Sequence, residues 1–442
     1  MVLLALWPYD FNQHLPTTLQ GRFRISLLLN VMCYTFWQFI CLHITIFNIK
    51  TIVDNIDNLG DIFTQMANAI IYGSMFIVNV YFRWNYQREA QLFELMADKF
   101  KRRSATGISY VEYESSKRFV NKFFKFWITT CTAVTFHWVV IPVIQWERVL
   151  PFEFWYPFDV SHSPMYEIAY AGQIVGQLQV GITYGMTASL LMAYIFIVCG
   201  QFGILCCSLR NSYNTAMING GNYHHQLTML QNLYKTYLQS AKSSWFEKEL
   251  LEEFSIAPRT LAKRLKPPPI NHRYLMQLSN ELATALDDCI DHHVVLINFC
   301  RRLGEYYHPF LMLTFFQEVS LLCLLAYIAT MDDLSPMQVA NIVEYLLVAV
   351  SELVWMSYLG QILKTQNINV IDALMDSPWY ECGAAFRQRA LMILANSLKP
   401  LKLTAFKMYD LDMKTCLSVL RISLSYFTLL QKIGHKKSNI YI

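Results

Sequence analysis

Ile168–Cys199 reads IAYAGQIVGQLQVGITYGMTASLLMAYIFIVC, without one Asp, Glu, Lys or Arg. A helix needs about 20 mainly apolar residues to cross a hydrocarbon core about 30 Å thick. This stretch exceeds that length, so it predicts a membrane-spanning helix. Six further runs have the same character: Ile25–Phe47, Ile62–Phe82, Phe126–Gln145 (interrupted late by Pro142), Tyr306–Thr330, Met337–Leu359 and Leu411–Leu430. The expected fold class is an all-α membrane protein with seven transmembrane helices. Glu344 and Glu352 lie within the sixth run, and their spacing turns both toward the bundle, where a charge can be satisfied.

The whole chain agrees. Of its 442 residues 54% are hydrophobic and 15% charged, and the mean hydropathy is +0.27. Soluble domains carry roughly 25% charged residues, so the apolar excess must face lipid or other helices. The net charge of +4 is small and gives no reason to expect nucleic acid as a partner. Met1–Trp7 is apolar but Pro8 follows, with no basic segment before it. The N-terminus is therefore expected to stay in the mature protein.

The connectors are unequal. Segments 48–61, 146–167 and 331–336 are short, whereas 83–125, 200–305 and 360–410 are long. The long ones look helical. Leu227, Leu230, Tyr234, Tyr237 and Leu238 recur at helical spacing, as do Leu282, Leu286, Ile290, His293, Ile297 and Cys300. Pro267, Pro268 and Pro269 must interrupt any helix between these two stretches. The long segments and the N-terminal stretch hold 29 of the 36 Lys and Arg residues, and the opposite side holds five. The excess of basic residues in cytoplasmic loops puts the N-terminus inside and the C-terminus outside. The expected division is 1–24 cytoplasmic, 25–200 helices one to four with the pocket, 201–305 cytoplasmic anchor helices, 306–360 helices five and six, 361–410 cytoplasmic anchor, and 411–442 the last helix and outer tail. The proposed outer segments contain no cysteine, so no disulfide framework is available there.

Catalytic signatures are missing from the sequence: there is no phosphate-cradling glycine loop, no Gly-x-Ser-x-Gly and no His-Glu-x-x-His. Cys289, Asp291, His292 and His293 are the one cluster with metal-binding residue types. They fall on different faces of a helix and lack zinc-site spacing, so neither metal nor cofactor is expected. His137 beside Trp138 reads as a packed pair. On the last helix Lys414, Ser418, Arg421, Ser425, Thr428 and Lys432 recur every three or four residues as a polar stripe. Such a stripe serves either as a pore wall or as interhelical hydrogen bonding. Leu429 and Ile433 stand beside it, as gate residues that close a pore by dewetting or as ordinary packing. The outer halves of the other helices carry Tyr72, Phe76, Phe136, Trp138, Val139, Tyr170, Gln173, Gln177, Tyr184 and Tyr345. Aromatic surface with a few polar groups is what binds a small, mostly apolar molecule, although any membrane bundle is rich in aromatics.

The last hundred residues carry a more specific pattern. Tyr358-Leu359-Gly360-Gln361-Ile362-Leu363 closes the sixth helix. Ser377-Pro378-Trp379-Tyr380 follows, then Arg387, Arg389 and Ala390, then Lys399-Pro400-Leu401-Lys402-Leu403, then Ser423-Leu424-Ser425-Tyr426-Phe427-Thr428-Leu429-Leu430. In order and spacing these segments resemble the insect odorant receptors, and the expected topology extends the likeness over the chain. The chain lacks the longer second cytoplasmic loop of the shared co-receptor, so it resembles a tuning subunit. The resemblance implies a plasma-membrane protein of olfactory neuron dendrites, a heterotetramer with the co-receptor. It also implies a small volatile ligand bound among helices two to six, and a non-selective cation pore along the outer part of the last helix. A gustatory-type receptor channel of the same superfamily is the alternative. Four copies of Arg421 and Lys432 lining a pore would repel permeant cations, so either those side chains point away or this subunit is a minority in the ring, and the second agrees with a heteromer. A G-protein-coupled receptor would need the opposite topology.

Overall fold

A computed structural model of the chain describes residues 19–55, 59–105, 111–144, 150–152, 154–220, 278–329, 336–377, 379–380, 382–399, 401–405 and 409–438. Each of the seven expected spans coincides with a helix apart from a residue or two at the ends of the third, fifth and seventh. The helices are α1 (Leu19–Asp54), α2 (Leu59–Trp84), α4 (Tyr113–Ile144), α5 (Met165–Asn219), α6 (Ser279–Ile328), α7 (Pro336–Met375) and α9 (Met413–Ser438). Two shorter helices, α3 (Tyr86–Lys99) and α8 (Ala384–Ser397), lie in the connectors. A two-stranded antiparallel ribbon, β1 (Thr404–Ala405) and β2 (Tyr409–Asp410), precedes α9. By length and composition alone, stretches of α1, α5, α6 and α7 are apolar enough to cross a membrane. Of the other three, α9 is more polar, and α4 carries Lys117, Arg118, Lys122 and Lys125 in its first half.

Several helices overrun their expected spans. The helix α5 has 55 residues, α6 has 50 and α7 has 40. At about 1.5 Å per residue these reach roughly 60–80 Å, at least twice the hydrocarbon thickness. The excess must stand outside the bilayer. Because α5 leads into α6, its C-terminal end and the N-terminal part of α6 share a side with the C-terminal end of α7. The expected boundary at Tyr306 is therefore no boundary in the backbone, since α6 runs through it and through Pro309.

The helix α5 is the centre of the bundle. From Thr187 to Leu209 no residue is exposed, as expected of a helix that is apolar all round. It packs on α4, α6, α7 and α1. Outside the spans, α6 buries Leu282, Leu286, Cys289, His293, Leu296, Cys300 and Leu303 at spacings of three and four, a stripe that shares Leu282, Leu286, His293 and Cys300 with the predicted face, while Ile290 and Ile297 are half-buried beside it. Leu92 of α3 and Phe386, Ala390 and Ile393 of α8 join the same core. Ion pairs Lys101–Asp288 (2.5 Å), Arg389–Asp287 (2.6 Å) and Arg210–Asp376 (2.8 Å) tie the rim. Partly exposed pairs of this kind contribute at most about 1 kcal/mol each. The segment around Leu227 and the Pro267–Pro269 break lie outside the described residues.

The two histidines of the Cys289–His293 cluster are built into this core. Nε2 of His292 meets Oε1 of Gln201 at 2.9 Å, and the same Gln201 amide clamps both backbone groups of Lys101. Nε2 of His293 lies 3.5 Å from Oγ of Ser397. Burial, reinforced by the Lys101 charge, pushes the His292 imidazolium down to about 3. Burial takes His293 to about 4. Both stay neutral in the fold while the unfolded chain titrates near 6.5, so their contribution is complete above that pH and is lost as pH falls through it. Each is expected to remove about 1 kcal/mol per pH unit below 6.5. Buried Glu89, raised to about 7 by desolvation, works in the opposite sense between pH 4.5 and 7. The histidine share is isolated by comparison: between pH 7 and 5.5 the thermal midpoint of a His293→Asn variant is expected to fall less than that of the unaltered protein.

Candidate ligand-binding site

Gln173, Gln177 and Tyr184 sit four and seven residues apart on α5, which places them on one helical face. Each holds a different neighbour. At the first level the backbone N–H of Phe152 donates to Oε1 of Gln173 at 3.0 Å. Nε2 of Gln173 donates to the Phe152 carbonyl at 2.9 Å and to the Tyr156 hydroxyl at 3.2 Å. The segment between α4 and α5 is thereby drawn into the bundle, and Phe152 and Phe154 are buried. Their rings stack at 5.4 Å, and both meet the ring of Tyr72 edge to face at about 6.5 Å. Such pairs contribute about 0.5–1.5 kcal/mol beyond burial.

At the second level the Tyr72 hydroxyl of α2 donates to Oε1 of Gln177, and Nε2 of Gln177 reaches the Tyr345 hydroxyl of α7 at 3.5 Å. One amide therefore links three helices under the Phe152–Phe154 roof. At the third level the Tyr184 hydroxyl donates to Oε1 of Glu318 on α6 at 3.0 Å. Ser74 of α2 donates to Oε1 of Gln317 at 2.5 Å beside it. Buried polar groups in an apolar bundle are costly unless paired, so these bonds fix how the helices face one another.

Of the residues expected to bind a ligand, Tyr72, Gln173, Gln177, Tyr184 and Tyr345 are brought together by this network. Phe76 is half-buried one turn beyond Tyr72 on α2. Tyr170 stacks on Tyr166 at 5.8 Å near the start of α5. Phe136 stands apart: it is 57% exposed on the outer surface of α4, so it faces away from the amide network. The side chains of Trp138 and Val139 lie outside the described residues. Sequence reasoning missed Phe152, Phe154, Glu318, Gln317 and Ser74. The aromatic density of Phe152–Phe158, FEFWYPF, was the one signal for the roof.

The last helix buries a single narrow face. Cys416, Val419 and Ser423 point inward, and Val419 packs with Leu322 of α6 and Ala349 of α7. Ser425, Thr428 and Leu429 are exposed on the single chain. The hydroxyls of Ser425 and Thr428 donate to the carbonyls of Arg421 (3.0 Å) and Ser425 (2.9 Å), and so are satisfied along the helix. Lys432 and Ile433 fall in α9, but their side chains are outside the described residues.

The chain folds as a seven-helix membrane bundle with an aromatic and amide-lined interior. The chain belongs to the 7tm Odorant receptor family, whose pattern it matches over residues 55–424. It is 28% identical over 402 residues to "Putative odorant receptor 85e" of Drosophila melanogaster, covering 90% of this chain and 84% of the relative. It is 26% identical to "Odorant receptor 83a" of the same fly, covering 99% and 94%. The odorant receptor coreceptor of Anopheles gambiae is more distant, at 19% over 64% of this chain and 63% of its own. In three dimensions the chain resembles the insect olfactory receptor OR5 from Machilis hrabei, with a TM-score of 0.69, 14% identity and coverage of 98% and 96%. The complex of that receptor with eugenol matches at a TM-score of 0.67 and 15% identity.

Proposed function

We propose that this chain is the tuning subunit of an odorant-gated, non-selective cation channel in the plasma membrane of olfactory neuron dendrites, assembled with a co-receptor subunit. The observation that carries the reading is the Tyr72–Gln177–Tyr345 network under Phe152 and Phe154. It sets aromatic surface beside a few polar groups, the usual lining of a ligand pocket. The basic, helical connectors support a cytoplasmic anchor and an inside N-terminus. The α9 surface around Ser425, Thr428 and Leu429 supports a role against neighbouring subunits and the pore, with Lys432 and Ile433 at its outer end. Eugenol bound to the Machilis receptor shows a relative of this fold accepting a small aromatic molecule, and this chain is read in the same way.

Phe152→Ala is expected to raise the half-maximal odorant concentration about three- to tenfold, because one aromatic contact is lost from the roof. Concentration–response curves of whole-cell current check this. The reading itself is tested by recording current in a cell line during odorant application, with and without an insect co-receptor. Fast inward cation current that requires both subunits and survives blocked G-protein signalling is the expected result. Efficient odorant-gated current from this chain alone would contradict the heteromeric arrangement. Surface expression without current in either condition, across a broad panel, would contradict the channel role.

A further inference from the structure

We infer that the floor of this pocket is an anionic subsite, formed by Tyr184, Glu318 and Glu352, that takes the ammonium group of a small arylalkylamine. The inference rests on the proposed pocket and names the ligand class it would favour. Glu318 of α6 and Glu352 of α7 are each 1% exposed, and both face Tyr184 of α5. Tyr184 donates its hydroxyl to Oε1 of Glu318. Oε2 of Glu318 and both carboxylate oxygens of Glu352 make no hydrogen bond in the structure. Three acceptor atoms are therefore buried and unused at one point.

Among the described residues no cation stands beside them. The electrostatic neighbours of Glu318 are Glu352 and Tyr184, and that of Glu352 is Tyr184. Cys131 of α4 adjoins Glu352 and supplies a thiol, not a cation. Segments 168–199, 306–330 and 337–359 contain no Lys or Arg. A buried carboxylate without a partner is costly. A primary ammonium presents three N–H donors on one compact cation. That number matches the unused oxygens, and its charge would favour an ionised carboxylate at the site.

The spacing sets the size of the molecule. Tyr184 follows Gln177 by seven residues on α5, and Glu352 follows Tyr345 by seven on α7. Seven residues of helix rise about 10 Å. A ligand whose ring sits among Tyr72, Phe152 and Tyr345 would therefore reach the acidic pair through a chain of two or three carbons.

The test uses the full chain, purified and placed in lipid nanodiscs, with phenethylamine and its neutral counterpart 2-phenylethanol as probes at neutral pH. Thermal stabilisation reads binding directly. The amine is expected to bind at least about tenfold more tightly than the alcohol, as for a hydrogen bond to a charged group. Glu352→Gln and Glu318→Gln are each expected to remove most of that preference. Equal potency of the two probes would overturn the subsite, as would an amine preference that survives both substitutions. Should either variant fail to fold, the comparison on the unaltered chain still decides. Currents with a co-receptor separate the two claims: amine binding without current would leave the subsite standing and sink the channel reading. Currents evoked equally by both probes would do the reverse.

Discussion

Gly360→Ala is expected to remove most folded receptor from the cell surface. Gly360 lies on α7 where the chain entering α9 crosses it. A Cβ at this position would press into the Leu411 carbonyl oxygen and stand 2.8 Å from its carbonyl carbon and 2.9 Å from its Cβ. The obstacle is backbone, so no side-chain rotation relieves it. Nor is Leu411 free to retreat. Its N–H donates to the Leu403 carbonyl at 2.8 Å, and the next residue, Asp412, accepts the Thr415 N–H at 3.0 Å as the cap of α9. Overpacking against a pinned backbone costs about 3 kcal/mol or more, a large part of the roughly 5–15 kcal/mol that holds a domain folded. Gly383 is the matched control, since a Cβ there meets nothing within 4 Å. Quantitative surface labelling of Gly360→Ala and Gly383→Ala should separate the two, the second remaining near the unaltered level.

Gln177→Leu is expected to raise the half-maximal odorant concentration by about ten- to a hundredfold while leaving receptor at the surface. The substitution keeps the volume but strips Tyr72 and Tyr345 of the amide that joins them. Losing the amide partner of the buried Tyr72 hydroxyl costs about 1–3 kcal/mol where water is scarce, and the two tyrosine rings lose the bond that sets their orientation. The damage falls on the walls of the pocket rather than on the bundle, because the α5 core from Thr187 onward is untouched. A concentration–response curve indistinguishable from that of the unaltered receptor would show that the network does not shape the ligand site.

The helices were legible in the sequence because lipid leaves little choice. Runs such as Ile168–Cys199 have one stable outcome in hydrocarbon, so the helices and the inward turn of Glu352 could be read directly. The buried stripe from Leu282 to Cys300 was equally plain, since its period is that of a helix packed on one side. What could not be read was pairing across distance. Gln177 advertises a polar need but not that Tyr72 and Tyr345 meet it. Phe152 and Phe154 sit in a connector, where periodicity carries no signal, and their burial depends on a single amide, that of Gln173. Phe136 shows the converse: an aromatic residue in the outer half of a helix is as suited to an outer surface as to a pocket, and composition cannot distinguish them. The ends of α5, α6 and α7 were also hidden, because a helix that leaves the bilayer and goes on packing against protein keeps its apolar stripe.

The most direct test of the account is a cryo-electron microscopy structure of this chain assembled with a co-receptor and an activating odorant. The account predicts ligand density among Tyr72, Phe152, Gln177 and Tyr345, enclosed by α2, α5 and α7. Density at a subunit interface or along α9, with the Gln177 network empty and unchanged, would contradict it.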